Sequence, residues 1–379
     1  MSKSAKVYFK NLDGFRFLAF FLVFIQHSFP LPITIANDYF YKIKIAITGA
    51  GDVGVSFFFV LSGFLINYLI LKEIHLKGKL DVLKFYIRRS LRIWPLYFLN
   101  ITAAFFIYPF LKSLLRITAV DYANQPLWYY TFASNFDFIN VMKFFPGKDF
   151  IVLDVTWSIA VEEQFYLVIP ILYLLFVGNR SYWLNILVIA SSLLFRAFNS
   201  QDLLLLNFHT FGVMSDLAMG GIGAYLAFAQ PNWFRSFIGC SRIWIRMLYI
   251  FGTLLLLHRI YLDELLPVFN RLIYSCFFLF IILEQTYLKN RLYNMKEKKW
   301  ISSLGKYTYA LYLLHPWSLQ IVIVIQKATG FAIMDNWMMI ILANLFAFFI
   351  SLLLSVLSYH FIERYFINLK ERFAYIHKS

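Results

Sequence analysis

The sequence has few charged residues and only two cysteines. Asp, Glu, Lys and Arg together make up 15% of its 379 residues, whereas 61% are apolar. A chain with so little charge cannot cover a water-exposed surface, which excludes a soluble globular protein. Cys240 and Cys276 are too few and too far apart for a disulfide framework or a CxxC metal motif, and they leave the redox compartment undetermined. No internal repeat or low-complexity tract divides the chain, so we predict one membrane-embedded domain over residues 1–379.

Apolar windows of about 20 residues, the length that crosses a bilayer as a helix, recur along the whole chain. The sequence therefore predicts an all-α polytopic membrane protein with about ten transmembrane helices. The predicted spans are 12–29, 51–71, 93–111, 157–177, 182–199, 209–229, 243–258, 266–287, 305–326 and 338–361.

The 35 basic residues exceed the 20 acidic ones, and they concentrate in alternate connections, such as residues 72–92 and 289–306. This asymmetry follows the positive-inside rule if both termini are cytoplasmic. The longest external connection is then about 112–156. Because topology explains the basic surplus, we predict no nucleic-acid partner. The basic N-terminus lacks a small-residue cleavage pattern, which favours a retained first span.

The first predicted helix carries two ionisable residues, Arg16 and His27, eleven positions apart. Eleven steps of 100° amount to about 20° more than three full turns, so the two side chains lie on nearly the same face of the helix. They are about 16 Å apart along the helix axis. An arginine in a membrane helix normally faces a polar partner or a water-filled cavity. The alternative is that Arg16 reaches the interface and His27 is a packing residue.

Arg89 and Arg92 lie three residues apart where the third helix begins, so they share one face at the cytoplasmic entrance. Paired guanidinium groups suit a phosphate ligand, because each offers a planar fork of donors. An anchor to anionic lipid headgroups is the alternative interpretation.

The fourth helix places two adjacent carboxylates, Glu162 and Glu163, inside the membrane. Ser158, Glu162 and Tyr166 share a face at four-residue spacing, whereas Glu163 is rotated by about 100°. A buried carboxylate must be paired or protonated, so packing alone does not explain two of them. The depths of Glu162 and His27 are predicted to agree within about one helical turn.

The ninth predicted helix carries His315 directly before Pro316, near the middle of the membrane. Proline inside a helix frees a backbone carbonyl and tends to kink the helix, which often accompanies a cavity. We predict pore or acceptor contacts for Ser158, Glu163, Tyr166 and His315. A membrane histidine that bonds a neighbouring helix is the alternative for His315.

Taken together, these motifs resemble the acyltransferase-3 family of membrane acyltransferases. Arg16 and His27 match the first-helix motif, in which the resemblance implies that the histidine is catalytic. FFVLSGFLI, the Arg89-x-x-Arg92 pair, WSIAVEEQFY and LYLLHPW follow in the order of the family. The resemblance covers nearly the whole chain.

The resemblance implies ten helices that move an acyl group, commonly acetyl, from cytoplasmic acyl-CoA to a carbohydrate or cell-surface glycan. It also implies an integral protein of the bacterial cytoplasmic membrane, with acyl-CoA, the glycan acceptor and membrane lipids as partners and with no metal. Some members carry an SGNH-type esterase-like domain after the helices. This sequence ends at Ser379, so we expect the membrane domain without that extension.

We therefore hypothesise that Arg89 and Arg92 bind the donor and that Arg16, His27 and Glu162 are catalytic, with Glu162 orienting the imidazole. His27 acts either as a general base or as a transient acyl carrier, and the sequence leaves both open. The competing function is a transporter or flippase of a lipid-linked or small polar substrate, because intramembrane Arg, His and Glu also form proton relays.

Overall fold

The structure is a computed structural model that describes residues 9–29, 38–114, 123–145, 152–176, 180–329 and 337–373. Within these ranges all regular structure is helical. The ten longest α-helices are α1 (Asn11–His27), α2 (Gly51–Lys77), α3 (Val82–Thr102), α4 (Thr156–Leu175), α5 (Arg180–Phe198), α6 (Thr210–Ala229), α7 (Arg242–Leu257), α8 (Asn270–Tyr287), α9 (Thr308–Thr329) and α10 (Trp337–Ser358).

Shorter helices extend or connect these ten. The short α-helices are Asp38–Thr48, Tyr108–Leu114, Pro126–Tyr130, Ser134–Phe144, Leu203–Phe208, Asn232–Ile238, Arg259–Leu265, Lys299–Leu304 and Arg364–Glu371. Two π-helical turns, Ala103–Ile107 and Tyr359–Glu363, continue α3 and α10, and two 3-10 turns, Met295–Glu297 and Gly305–Tyr307, precede α9.

Each of the ten predicted spans falls on one of the ten long helices. Seven helical segments of the described chain are long and apolar enough to cross a membrane, or eight if the pair Asn232–Ile238 and Arg242–Leu257, bent by 91°, forms one span. α1 and α7, with 17 and 16 residues, are just shorter than the 18 residues taken here as the minimum length of a membrane-spanning helix. The all-α membrane class is thus confirmed, while ten crossings and cytoplasmic termini stay predictions.

Glycines bring α2 and α6 into very close contact. A Cβ atom on Gly63 would lie 1.9 Å from the carbonyl oxygen of Leu217, and one on Gly220 would lie 2.0 Å from that of Val60. No side chain fits at such distances, so the two backbones touch directly. α5 and α8 also pack against α6.

A tight turn connects α2 to α3. Gly78 ends α2 in the left-handed conformation, with φ of 72°, and Asp81 caps α3 by accepting the Lys84 amide at 3.0 Å. Glu73 and Arg88 then meet in a buried ion pair of 2.7 Å. This turn holds the start of α3, and with it Arg89, against the end of α2.

The predicted external connection, 112–156, is partly helical. Residues 115–122 and 146–151 of it lie outside the described residues. The helix Ser134–Phe144 packs on α4, and the Gln164 side chain donates to the carbonyl oxygen of Phe132 at 2.8 Å. These contacts position the turn 152–155 that leads into α4. The assignment of the connection to the external side stays a prediction.

Candidate active site

A cavity of about 450 Å³ lies between α1, α2, α3, α4 and α9. Five basic side chains line it, together with two acidic ones. These are Arg16, Arg89, Arg92, Lys306 and Lys370, with Asp13 and Glu162. The excess of positive charge suits an anionic ligand. We call the part of the bundle that carries Arg89, Arg92, Lys306 and Lys370 the basic end.

Arg89 and Arg92 enter the cavity from one face of α3, as their spacing predicts. Arg92 lies 3.5 Å from the Glu363 carboxylate, and its guanidinium faces the ring of Tyr309 at 5.9 Å. Arg89 faces the ring of Phe85 at 5.9 Å, and its buried Nε has no hydrogen-bond partner among the described residues. A buried donor of this kind is available to a ligand oxygen.

Arg16 forms an ion pair with Asp13, one turn earlier on α1, and both line the cavity. Arg16 therefore lies with the arginines of α3, about 16 Å along the helix axis from His27. The shared face of Arg16 and His27 does not bring the two side chains together.

Ser158, Glu162 and Tyr166 all line the cavity from α4, as their four-residue spacing predicts. The Tyr166 hydroxyl donates to Glu162 at 2.7 Å and also contacts Ser62 of α2. Glu163 faces another direction, where it accepts a hydrogen bond of 2.8 Å from the Trp94 indole.

His27, the last residue of α1, contacts two other ionisable side chains. Its Nε2 lies 3.2 Å from the Asp154 carboxylate, and its Nδ1 lies 3.3 Å from Nε2 of His315. The His27 and Asp154 side chains are 24% and 25% exposed, whereas His315 is fully buried against Phe20 and Phe24. We call these three residues the histidine cluster.

The hydrogen-bond partners assign the protons of the histidine cluster. Nδ1 of His315 lies 2.8 Å from the Tyr312 carbonyl oxygen, which only accepts, so this nitrogen carries a proton. A neutral His315 then accepts at Nε2, and His27 donates from Nδ1. The other ring nitrogen of His27, Nε2, faces the Asp154 carboxylate. Burial raises the pKa of the Asp154 carboxyl above its usual range, and the neighbouring His27 opposes this shift.

The predicted pairing of Glu162 with His27 is absent, because Glu162 is bonded to Tyr166 and Asp154 occupies the position beside the imidazole. Eight residues, or about 12 Å of helix, separate the two acids. Asp154 is four residues before Ser158, so it continues the polar face of α4 into the preceding turn. That continuation is the sequence signal that could have found it.

His315 contacts His27 and is not part of the cavity lining, and its role as a pore or acceptor contact stays a prediction. The sequence also did not single out Lys306, Lys370 and Tyr312, which line the cavity. Among the described residues, no group of three or more His, Cys, Asp or Glu side chains is arranged to hold a metal ion.

Comparison with known proteins identifies the family to which the chain is similar. The model of the acyltransferase-3 family, described as an acyltransferase domain, matches residues 9–360. The O-acetyltransferase OatA of Staphylococcus aureus is 28% identical over 328 residues, which cover 81% of this chain and 50% of that protein. The peptidoglycan O-acetyltransferase OatA of Listeria monocytogenes is 29% identical over 182 residues, 46% of this chain and 26% of that protein.

The chain thus spans half or less of the length of these two bacterial relatives. No solved structure matches it. The family match, in contrast, extends over most of the sequence and includes α1 to α10 up to His360. The protein therefore belongs to the acyltransferase-3 family of integral membrane acyltransferases.

Proposed function

We propose that this protein is a membrane O-acyltransferase that moves an acyl group, acetyl in the first instance, from acyl-CoA to a hydroxyl of a cell-surface glycan. Two features support the proposal: the two relatives are O-acetyltransferases, and the basic cavity lies next to the histidine cluster. The second feature carries the proposal, because it connects a site for an anionic donor to an imidazole.

The donor part of the proposal rests on the basic end. Coenzyme A carries several phosphate charges, and guanidinium groups bind phosphate oxygens through paired hydrogen bonds. Arg89 and Arg92 are the proposed phosphate contacts. The positive-inside rule assigns the basic end to the cytoplasm, where acyl-CoA is made. The thioester arm then extends past Arg16 and Glu162 towards His27.

The acceptor part rests on the exposure of two residues of the histidine cluster, which lies next to the cavity and away from its basic end. His27 and Asp154 are each about one quarter exposed, so a hydroxyl group can approach them without entering through the basic end. Donor and acceptor therefore meet from opposite faces of the membrane. This arrangement suits the transfer of an acyl group made in the cytoplasm to a glycan of the bacterial surface.

In the proposed chemistry, His27 removes the proton of the acceptor hydroxyl as its oxygen attacks the thioester carbon. Asp154 stabilises the imidazolium that forms, and His315 fixes the ring by accepting from Nδ1. Both ring nitrogens of His27 are engaged in hydrogen bonds. Either role of His27, general base or transient acyl carrier, therefore requires one ring nitrogen to leave its present partner and turn to the substrate.

The test is acyl-CoA turnover by the purified protein in lipid vesicles, with a short oligosaccharide as acceptor. His27→Ala should abolish acyl transfer. His258→Ala, at a partly buried histidine that is bonded to Tyr39 at 2.9 Å and does not line the cavity, is the matched control and should keep wild-type activity. Full acyl transfer by His27→Ala would contradict the proposed role of the imidazole.

The natural acceptor is identified separately, by mass spectrometry of surface glycans from cells with and without the gene. The loss of the mass that one acetyl group adds to each modified sugar is the outcome expected for an O-acetyltransferase. Glycans of identical mass in both strains would exclude them as the acceptor.

A further inference from the structure

Two hydroxyl groups separate the cavity from the histidine cluster. Ser158 Oγ of α4 and Tyr312 Oη of α9 lie 2.7 Å apart, and both side chains line the cavity. Ser158 and Tyr312 are 5% and 8% exposed. The cavity lining includes none of the three residues of the histidine cluster. Ser158 lies four residues after Asp154 and Tyr312 three residues before His315, so each hydroxyl belongs to a residue about one helical turn from the histidine cluster.

The proton of the Tyr312 hydroxyl points to Ser158. Ser158 Oγ also lies 3.1 Å from the carbonyl oxygen of Val155, which can only accept, and we infer that the single proton of Ser158 is directed there. Ser158 then accepts from Tyr312. The Tyr312 hydroxyl is thus a neutral donor held at the end of the cavity.

Tyr312 is also fixed to the histidine cluster through its backbone. Its carbonyl oxygen accepts from Nδ1 of His315 at 2.8 Å, and the two rings lie 6.1 Å apart. The edge of the Phe58 ring packs against the Tyr312 ring, with 5.8 Å between centroids. These contacts hold the hydroxyl in a largely apolar site, where a hydrogen bond to developing charge is stronger than in water.

We propose that Tyr312 is a catalytic residue whose hydroxyl stabilises the oxyanion of the acyl-transfer step, an assignment that rests on the proposed function. The thioester carbonyl oxygen replaces Ser158 as the acceptor of the Tyr312 proton. When the acceptor hydroxyl oxygen bonds to the acyl carbon, its proton passes to His27, and the carbonyl oxygen becomes the oxyanion bound by Tyr312. The C–S bond then breaks, the C=O bond re-forms, and the thiolate takes the proton from His27. The products are the ester and free coenzyme A.

Two substitutions test this assignment, because they delete opposite halves of the same hydrogen bond. Tyr312→Phe removes the donor and should lower kcat by about 100-fold to 1,000-fold, as expected for the loss of one oxyanion donor. Ser158→Ala removes the ground-state acceptor and leaves the donor free, so kcat should rise by up to several fold. The readout is kcat and donor KM for acetyl-CoA in the vesicle assay, with acetyl-CoA binding and Tm measured for both variants.

The other outcomes overturn the assignment. Equal losses in both variants would mean that the hydrogen bond is only structural. Equal gains in both, with faster hydrolysis of the donor, would mean that the hydroxyl pair is only a barrier. If Tyr312→Phe is too unstable to assay, a fall in kcat of Ser158→Ala contradicts the proposal by itself. A wild-type protein that does not turn over acetyl-CoA would instead contradict the proposed function.

Discussion

Replacing Asp154 by asparagine tests whether a carboxylate supports His27 during catalysis. The substitution keeps the size of the side chain and removes a charge 3.2 Å from Nε2 of His27. At that distance the attraction between a carboxylate and an imidazolium is about 5 kcal/mol at an effective dielectric constant of about 20, and about 1.3 kcal/mol in bulk water. About three quarters of each side chain is covered and one quarter is in contact with solvent, so the attraction lies between these two limits. We take about 2 kcal/mol as the stabilisation of the imidazolium that Asp154→Asn removes. That energy corresponds to about a 30-fold loss of kcat.

The pH dependence gives a second readout of the same variant. Because burial raises the pKa of Asp154, its ionised form is lost on acidification at a pH above the usual aspartate range. Because Asp154→Asn removes this titration, the acidic side of its pH–rate profile should differ in shape and midpoint from that of the wild type. An acid whose pKa is raised by folding contributes stability below its unfolded pKa and loses that contribution as the pH rises through the raised value. At neutral pH, Asp154→Asn should accordingly not lower Tm.

Asp137→Asn is the matched control for Asp154→Asn. Asp137 is also a buried acid of the segment before α4, but its carboxylate accepts from Asn124 at 2.8 Å rather than facing His27. The control variant should keep the wild-type kcat and pH profile. If Asp154→Asn also kept them, the carboxylate would have no part in catalysis, and the proton assignment in the histidine cluster would need another explanation.

Three further predictions concern the donor site, the imidazole pair and the scaffold. Arg89→Ala should weaken apparent acetyl-CoA affinity by about 10-fold to 100-fold, the value of a charge-assisted hydrogen bond, with kcat nearly unchanged, as measured by donor titration. His315→Gln should keep more activity than His315→Leu, because the amide oxygen can still accept from His27 Nδ1; equal kcat values would contradict the acceptor role. Arg196→Met should cost at least about 3 kcal/mol of stability, seen as a lower Tm, because buried Arg196 donates to four carbonyl oxygens and to Asn270.

Much of the fold was predictable because hydrophobic length and helical periodicity are local properties of the sequence. All ten long helices coincide with predicted apolar windows, and Ser158, Glu162 and Tyr166 line one cavity because their spacing is that of one helix face. The same reasoning placed Arg89 and Arg92 together. In each case the prediction depended on residues within a single helix.

The partners of His27 were not predictable in the same way, because they depend on how far one helix is shifted along another. The sequence suggested that Glu162 and His27 lie at similar depth, but the end of α1 meets the turn before α4, so Asp154 becomes the neighbour. Asp154 lies in the turn before the helix and among several other loop acids, so its four-residue spacing from Ser158 was the one pattern that marked it. The contact between His27 and His315 depends on the packing of α1 against α9, which neither helix encodes alone.

The direct backbone contact between α2 and α6 has a consequence for how the enzyme can move. At Gly63 and Gly220 there is no side chain that could change rotamer to absorb sliding, so these two helices must travel as one rigid body. α1 is held to α2 in the same way, because a Cβ atom on Gly54 would lie 2.4 Å from the carbonyl oxygen of Ala19, so any opening that lets the acyl chain through must come from other helices of the cavity, such as α9. A bulky residue at Gly63 or Gly220 would force α2 and α6 apart. We expect it to impair folding of the bundle before it changes the turnover of correctly folded protein.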